Sequence, residues 1–183
     1  MRIPFKTDDF TPLAVRLRES DSLAAEKLYE KLFDKVFGFC MNKTSNRTTA
    51  EDLTQDIFLK LIDRIETFDE TRGNFLVWFW QLARNTVTDF YRKQKEVHFS
   101  DIEENKIEES AGQLMPQTID SKVEMERIST FLSSISSEEK ELFELHFVAD
   151  LKYSDIAEVL GKPEGNLRVA VSRLKEKIRR NFA

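Results

Sequence analysis

The sequence has little that interrupts a helix. Five glycines and four prolines occur in 183 residues. That is too few to punctuate a many-stranded sheet, so helices are expected. The single cysteine, Cys40, excludes an internal disulfide and fits a reducing compartment. It follows Phe39 near a helix end and reads as packed rather than reactive. The two histidines, His98 and His146, lack the Cys/His spacing of a metal site, so surface or packing roles are expected. No apolar run approaches the roughly 20 residues of a spanning helix. The N-terminus lacks the basic-then-apolar layout of a signal peptide. A cytoplasmic chain without membrane insertion is the expectation. There is no GxGxxG, Walker loop or HExxH, so no catalytic residue, cofactor or metal is expected, and no enzyme chemistry is required.

What is present is helical periodicity and charge. Hydrophobic residues make up 40% and charged ones 33%, with a net charge of −5. An overall acidic balance argues against a generic polyanion binder, but the charge is unevenly spread. Apolar spacing of three and four predicts a short helix from Pro12 to about Arg18. A longer one runs from Ser22 to about Asn42, on Leu28, Leu32, Val36 and Phe39. A third starts near Thr49, where Thr49 and Asp52 have capping-box-like spacing. It continues to about Glu66 on Leu53, Ile57, Leu61 and Ile65.

Between Ser100 and Asp120, six carboxylates face only Lys106, a local excess equal to the net charge of the whole chain. With Gly112, Pro116 and small polar residues, this reads as a solvated tether. Helical pattern resumes after about Val123, with Ser136 and Glu139 spaced as a capping box. Two more helices are expected, Ser154–Leu160 and Pro163 to about Arg180. The predicted fold is all-α: two helical domains, 8–96 and 123–183, joined by a flexible acidic linker, 97–122.

The stretch "YSDIAEVLGKPEGNLRVAVSRLKEKIRR" has the layout of a helix-turn-helix. Gly161 can take the positive φ of a tight interhelical turn, and Pro163 suits the first turn of the next helix. Leu167, Val171 and Leu174 form the buried face. From Arg168 to Arg180, six basic side chains oppose only Glu176. An ordinary helical hairpin with a solvated basic end is the competing reading.

The stretch "NFLVWFWQLARNTVTDFYRKQK" divides on a helical wheel. Phe79, Leu82, Ala83, Thr86 and Phe90 share one stripe, extended by Leu76, Trp80 and Val87. Gln81, Arg84, Asn85, Thr88, Arg92 and Lys95 lie opposite, with Trp78 at the border. Such amide, guanidinium and indole groups can contact phosphates, read base edges and stack on an unpaired base. A merely solvated face is the alternative.

Three motifs in order now resemble one family, the bacterial sigma factors of the sigma-70 superfamily, and within it the small two-domain extracytoplasmic-function group. "AEDLTQDIFLKLIDRIETFD" is similar to the polymerase-binding helix of that family's second region. "FLVWFWQLARNTVTDFYRKQK" is similar to its promoter-melting helix, and "LFELHFVADLKYSDIAEVLGKPEGNLRVAVSRLKEKIRR" to its fourth-region helix-turn-helix. The resemblance implies a promoter-specificity subunit of core RNA polymerase. Asp52, Gln55, Asp56 and Leu59 would meet the clamp helices of the largest subunit. Phe68, Asn74, Trp78, Gln81, Arg84, Asn85 and Arg92 would serve the minus-10 element, with a base flipped from the non-template single strand. Asn166, Arg168, Ser172, Arg173 and Lys175 would meet the minus-35 element as duplex promoter DNA. The acidic tether would lie in a channel built for RNA, where a plain solubilising linker is the alternative. An anti-sigma factor is the further implied partner. The family commonly has Thr where Asn166 stands and Arg where Ala170 stands, which implies an unusual upstream preference. The competing functions are a stand-alone helix-turn-helix regulator that binds DNA without polymerase, and an all-helical protein adaptor.

Overall fold

The computed structural model describes residues 10–100, 127–128 and 130–182, the first span from 95 onward by backbone alone. No strand occurs among the described residues. The N-terminal module holds α1 (Thr11–Arg18), α2 (Ser22–Thr44), α3 (Arg47–Arg64) and α4 (Phe75–Ser100), with a 3-10 turn at Ile65–Thr67. The C-terminal module holds α5 (Ser137–Phe143), a π-helical turn (Glu144–Val148), α6 (Tyr153–Leu160) and α7 (Glu164–Phe182). Residues 130–134 are also helical.

Local chemistry sets the helix ends. The Asp21 carboxylate accepts from the Leu23 and Ala24 amides and starts α2. That helix stops where Ser45 turns left-handed, at φ 51°. Asn46 then caps α3, its side chain accepting from the Thr49 amide at 3.0 Å. The expected start near Thr49 is therefore three residues late. Asn46 follows the left-handed residue directly and takes the capping role, so Thr49 lies inside the first turn. Ser136 and Glu139 form the reciprocal capping box that their spacing predicts, at 3.2 and 3.1 Å. Gly161 turns left-handed, at φ 62°, between α6 and α7. Pro163 stands just outside α7, and its carbonyl receives the Asn166 amide at 3.1 Å.

The apolar stripes meet as expected. Leu28, Leu32 and Val36 of α2 are fully buried, together with Ile57 of α3 and Phe75, Phe79 and Trp80 of α4. Trp80 packs edge-on against Phe39 and Phe79, with centroids 5.5 and 5.7 Å away. Each such pair adds roughly 0.5–1.5 kcal/mol beyond area burial. In the second module Leu151, Ile156, Leu167, Val171 and Leu174 form the centre. The α4 helix continues to Ser100 and so takes the first residues assigned to the linker. The rest of that linker, 101–122, lies outside the described residues.

The two modules touch. Lys43 of α2 reaches the buried Glu144 carboxylate at 2.8 Å. Lys35 Nζ donates to the Ala149 carbonyl at 3.5 Å. At Gly38 the helix surface is bare, and a Cβ there would come within 3.3 Å of Val148.

Candidate polymerase and nucleic-acid interfaces

On α3, Asp52, Gln55 and Leu59 are exposed on one side, and Asp56 is half-buried beside Lys60, at 3.0 Å. Leu59 exposes 61% of its surface, an outward apolar side chain among carboxylates. The apolar patch is wider than Leu59 alone. Ile62 one turn on and Tyr29, whose ring packs on Phe58, are also exposed. Tyr29 and Ile62 border a cavity of about 260 Å³ lined also by Leu17, Ala25, Glu26, Phe58 and Leu61. An apolar patch rimmed by charge suits a protein partner. The legible signal was Ile62, three residues from Leu59 and off the stripe of Leu53, Ile57 and Leu61.

The loop before α4 is held at each end and in the middle. Phe68 is buried, its ring 5.5 Å from Phe75 and 5.6 Å from Trp78. The resemblance assigns Phe68 to the minus-10 element; here the aromatic cluster under α4 encloses its ring. Asp69 closes a tight turn, its Oδ1 accepting from the Thr71 amide and hydroxyl. The Thr71 hydroxyl holds the Asp69 carboxyl below its usual range. Arg18 donates to the Phe68 carbonyl at 3.1 Å and forks onto both oxygens of Glu70. That fork depresses the Glu70 pKa and raises that of Arg18. Asn74 is exposed, and its side-chain oxygen caps α4 by accepting from the Leu76 amide at 2.9 Å.

Along α4, Trp78 and Gln81 are half-buried, Asn85 and Arg92 are exposed, and Arg92 pairs with Asp89 at 3.1 Å. Arg84 behaves differently. Its Nε donates to Glu141 of α5 at 3.0 Å, its Nη2 reaches the same oxygen, and its Nη1 donates to the Val159 carbonyl of α6 at 2.9 Å. The helical wheel assigns Arg84 to a solvent-facing surface; the structure places it against the C-terminal module.

On α7, Asn166, Arg168, Ser172 and Arg173 are exposed, and Lys175 is half-buried. Glu164 and Tyr153 brace Arg168: its Nε lies 3.0 Å from the carboxylate and its guanidinium 5.1 Å from the ring centroid. Lys175 Nζ sits over Phe147, 5.8 Å from its centroid. Val169, which no motif marks, exposes 52% of its surface among these polar groups. An outward valine at such a position can contact a thymine methyl. His146 packs between Phe147 and Tyr153, and burial lowers its pKa. Among the described residues no group of carboxylate, cysteine and histidine side chains could hold a metal, and no helix is long and apolar enough to cross a membrane.

Comparison with known proteins agrees with the all-helical fold. The family model for sigma-70 region 2 matches residues 28–97, and that for sigma-70 region 4 matches 125–178. Together they cover about two thirds of the chain. The ECF RNA polymerase sigma factor SigM of Bacillus subtilis (strain 168) is 26% identical over 135 residues, covering 71% of this chain and 77% of its own. Among solved structures, CnrH in complex with the cytosolic domain of CnrY aligns with a TM-score of 0.67 at 17% identity, over 93% of this chain and 94% of that one. RpoE in complex with the anti-sigma factor NepR, from Bartonella quintana, aligns with a TM-score of 0.56 at 19% identity, over 86% and 97%. At these identities the two structures speak for the fold, while the matched regions speak for descent. With region 2 on the aromatic-cored module and region 4 on the helix-turn-helix, the chain belongs to the sigma-70 family of RNA polymerase sigma factors, in its extracytoplasmic-function group.

Proposed function

We propose that this sigma factor docks on core RNA polymerase through the outer face of α3, reads the minus-10 element with the 68–74 loop and α4, and reads the minus-35 element with α7. The observation that carries this is the division of surface chemistry. The α3 face presents Asp52, Gln55, Asp56 and Leu59, acidic and apolar together. The α7 face presents Asn166, Arg168, Ser172 and Arg173, which can donate to phosphates and base edges. One chain thus offers separate surfaces for a protein and for DNA. A stand-alone regulator would have no use for the region 2 match over 28–97.

Holding the two DNA-reading modules on one large enzyme turns the second contact into an effectively intramolecular one. Melting follows from differential binding. A flipped base costs a few kcal/mol in lost stacking and pairing. The cost is offset only where the base finds its pocket beside Asn85 and the 68–74 loop. Because the neighbour RpoE is bound by an anti-sigma factor, a protein of that class is a proposed partner here too. A cytoplasmic location and the absence of enzymatic activity belong to the same reading.

Co-purification with core polymerase followed by run-off transcription tests the function. Asn85→Ala is expected to leave polymerase binding intact and to weaken permanganate reactivity in the melted segment. An unchanged footprint would remove Asn85 from the base pocket.

A further inference from the structure

We propose that Val169 is a specificity-determining residue of α7, packing its exposed methyl groups on the C5-methyl of one thymine in the minus-35 element. This rests on the assignment of α7 to that element.

The position of Val169 on the helix carries the argument. Leu167, Val171 and Leu174 are buried and fix which way α7 faces. At about 100° per residue, Val169 stands roughly opposite the middle of that stripe. It is the crest of the outward face, and 52% of its surface is exposed. Gly165, Asn166, Ser172 and Arg173, three and four residues away, surround it and are all exposed. Nothing lies within 4 Å of where a Cβ on Gly165 would stand. One flank of Val169 is therefore open down to the backbone, and a base edge can approach without displacing a side chain.

The neighbouring cation is held to the side. Arg168 lies about 100° round the helix from Val169. There its Nε donates to Glu164 at 3.0 Å and its guanidinium covers the Tyr153 ring. A side chain so braced suits a phosphate at the groove wall better than a base edge on its floor. The crest is left to Asn166, Val169, Ser172 and Arg173. Of these, only Val169 can neither donate nor accept a hydrogen bond. The apolar group that base pairs present in the major groove is the thymine methyl. Valine has few rotamers on a helix, so little entropy is lost when it is clamped against a base. It is also a weaker helix former than alanine, so α7 itself gains nothing from having it at an exposed position.

The test uses holoenzyme, the chain assembled with core polymerase, on promoter duplexes with a randomised upstream element. Rounds of binding and run-off transcription select the preferred element. Each thymine in it is then replaced singly by deoxyuridine, which keeps the pairing and removes the methyl. One replacement is expected to weaken binding about fourfold, the worth of burying a single methyl group. With Val169→Ala the same replacement is expected to change binding by less than about twofold. Arg173→Ala is expected to weaken binding to both templates and to keep their ratio. Thermal unfolding of Val169→Ala, a substitution at an exposed site, is expected to match that of the unaltered chain. Equal binding of thymine and uridine templates throughout the element overturns the proposal, as does an undiminished ratio in Val169→Ala. If scrambling the whole upstream element changes nothing, α7 does not read it. The assignment beneath the proposal then fails, a result distinct from loss of the methyl contact alone.

Discussion

Arg18 and Glu70, 52 positions apart in sequence, meet in a two-pronged contact, Nη1 to Oε2 at 2.9 Å and Nη2 to Oε1 at 3.0 Å. Helix α1 thereby holds the loop that precedes α4. Arg18→Ala is expected to slow open-complex formation several-fold at a promoter the protein serves, with little change in melting temperature, because exposed pairs contribute little to stability. Stopped-flow fluorescence of a 2-aminopurine in the melted segment gives the rate. A rate equal to that of the unaltered protein removes Arg18 from the positioning of this loop.

Glu144 links acidity to stability. Burial pushes its carboxyl pKa above the ordinary glutamate range, against the opposing pull of Lys43. The native state therefore holds this proton more tightly than the unfolded chain does. Its contribution is fully present below the ordinary glutamate range and is lost as pH rises through the raised value. Glu144→Gln is expected to flatten the urea midpoint across that window relative to the unaltered chain. At neutral pH Lys43→Met should cost about 3 kcal/mol, since it strands a buried carboxylate, while Glu144→Gln should be close to neutral. Equal costs for the two variants would contradict this account.

Cys40 is fully buried, and desolvation pushes its thiol pKa up to about 11. A thiol so placed has almost no thiolate at neutral pH. Reaction with Ellman's reagent at pH 8 is expected only as fast as the protein unfolds. Immediate stoichiometric labelling of the folded protein would show an opening that the packing does not provide.

Gly161 adopts φ 62°, and nothing lies within 4 Å of where a Cβ would stand. Space is therefore not the constraint, and backbone conformation is. Gly161→Ala should destabilise by about 1 kcal/mol, and Gly161→Asn by less, because asparagine tolerates the left-handed region. Thermal unfolding followed by circular dichroism ranks the two. A more stable alanine variant would mean that the turn relaxes to another conformation.

The helices were legible because their apolar residues recur every three or four positions. Leu53, Ile57, Leu61 and Ile65 are all buried at the places that spacing assigns. The helix-turn-helix was legible because Gly161 and Pro163 are chemically suited to the turn. The burial of Phe68 was not legible because a loop residue carries no periodicity, and only the fold brings Phe75 and Trp78 around it. The engagement of Arg84 was invisible for a similar reason. Its partners Glu141 and Val159 lie 57 and 75 positions away, and nothing local marks one arginine on a polar face as spoken for. The α3 surface was readable as far as Leu59, but its apolar extension needs Tyr29 and Leu17 from two other helices.

The wide turn at Glu144–Val148, closed by the Ala149 amide on the Glu144 carbonyl at 2.8 Å, sets a rotational phase. Rewinding the same residues as an ordinary α ladder, with none removed, would swing everything downstream by roughly 100° about the helix axis. Glu158 and Val159 would then arrive at the wrong azimuth. How the two halves of the chain mate is thus written into one irregular backbone turn as much as into the side chains that meet across it.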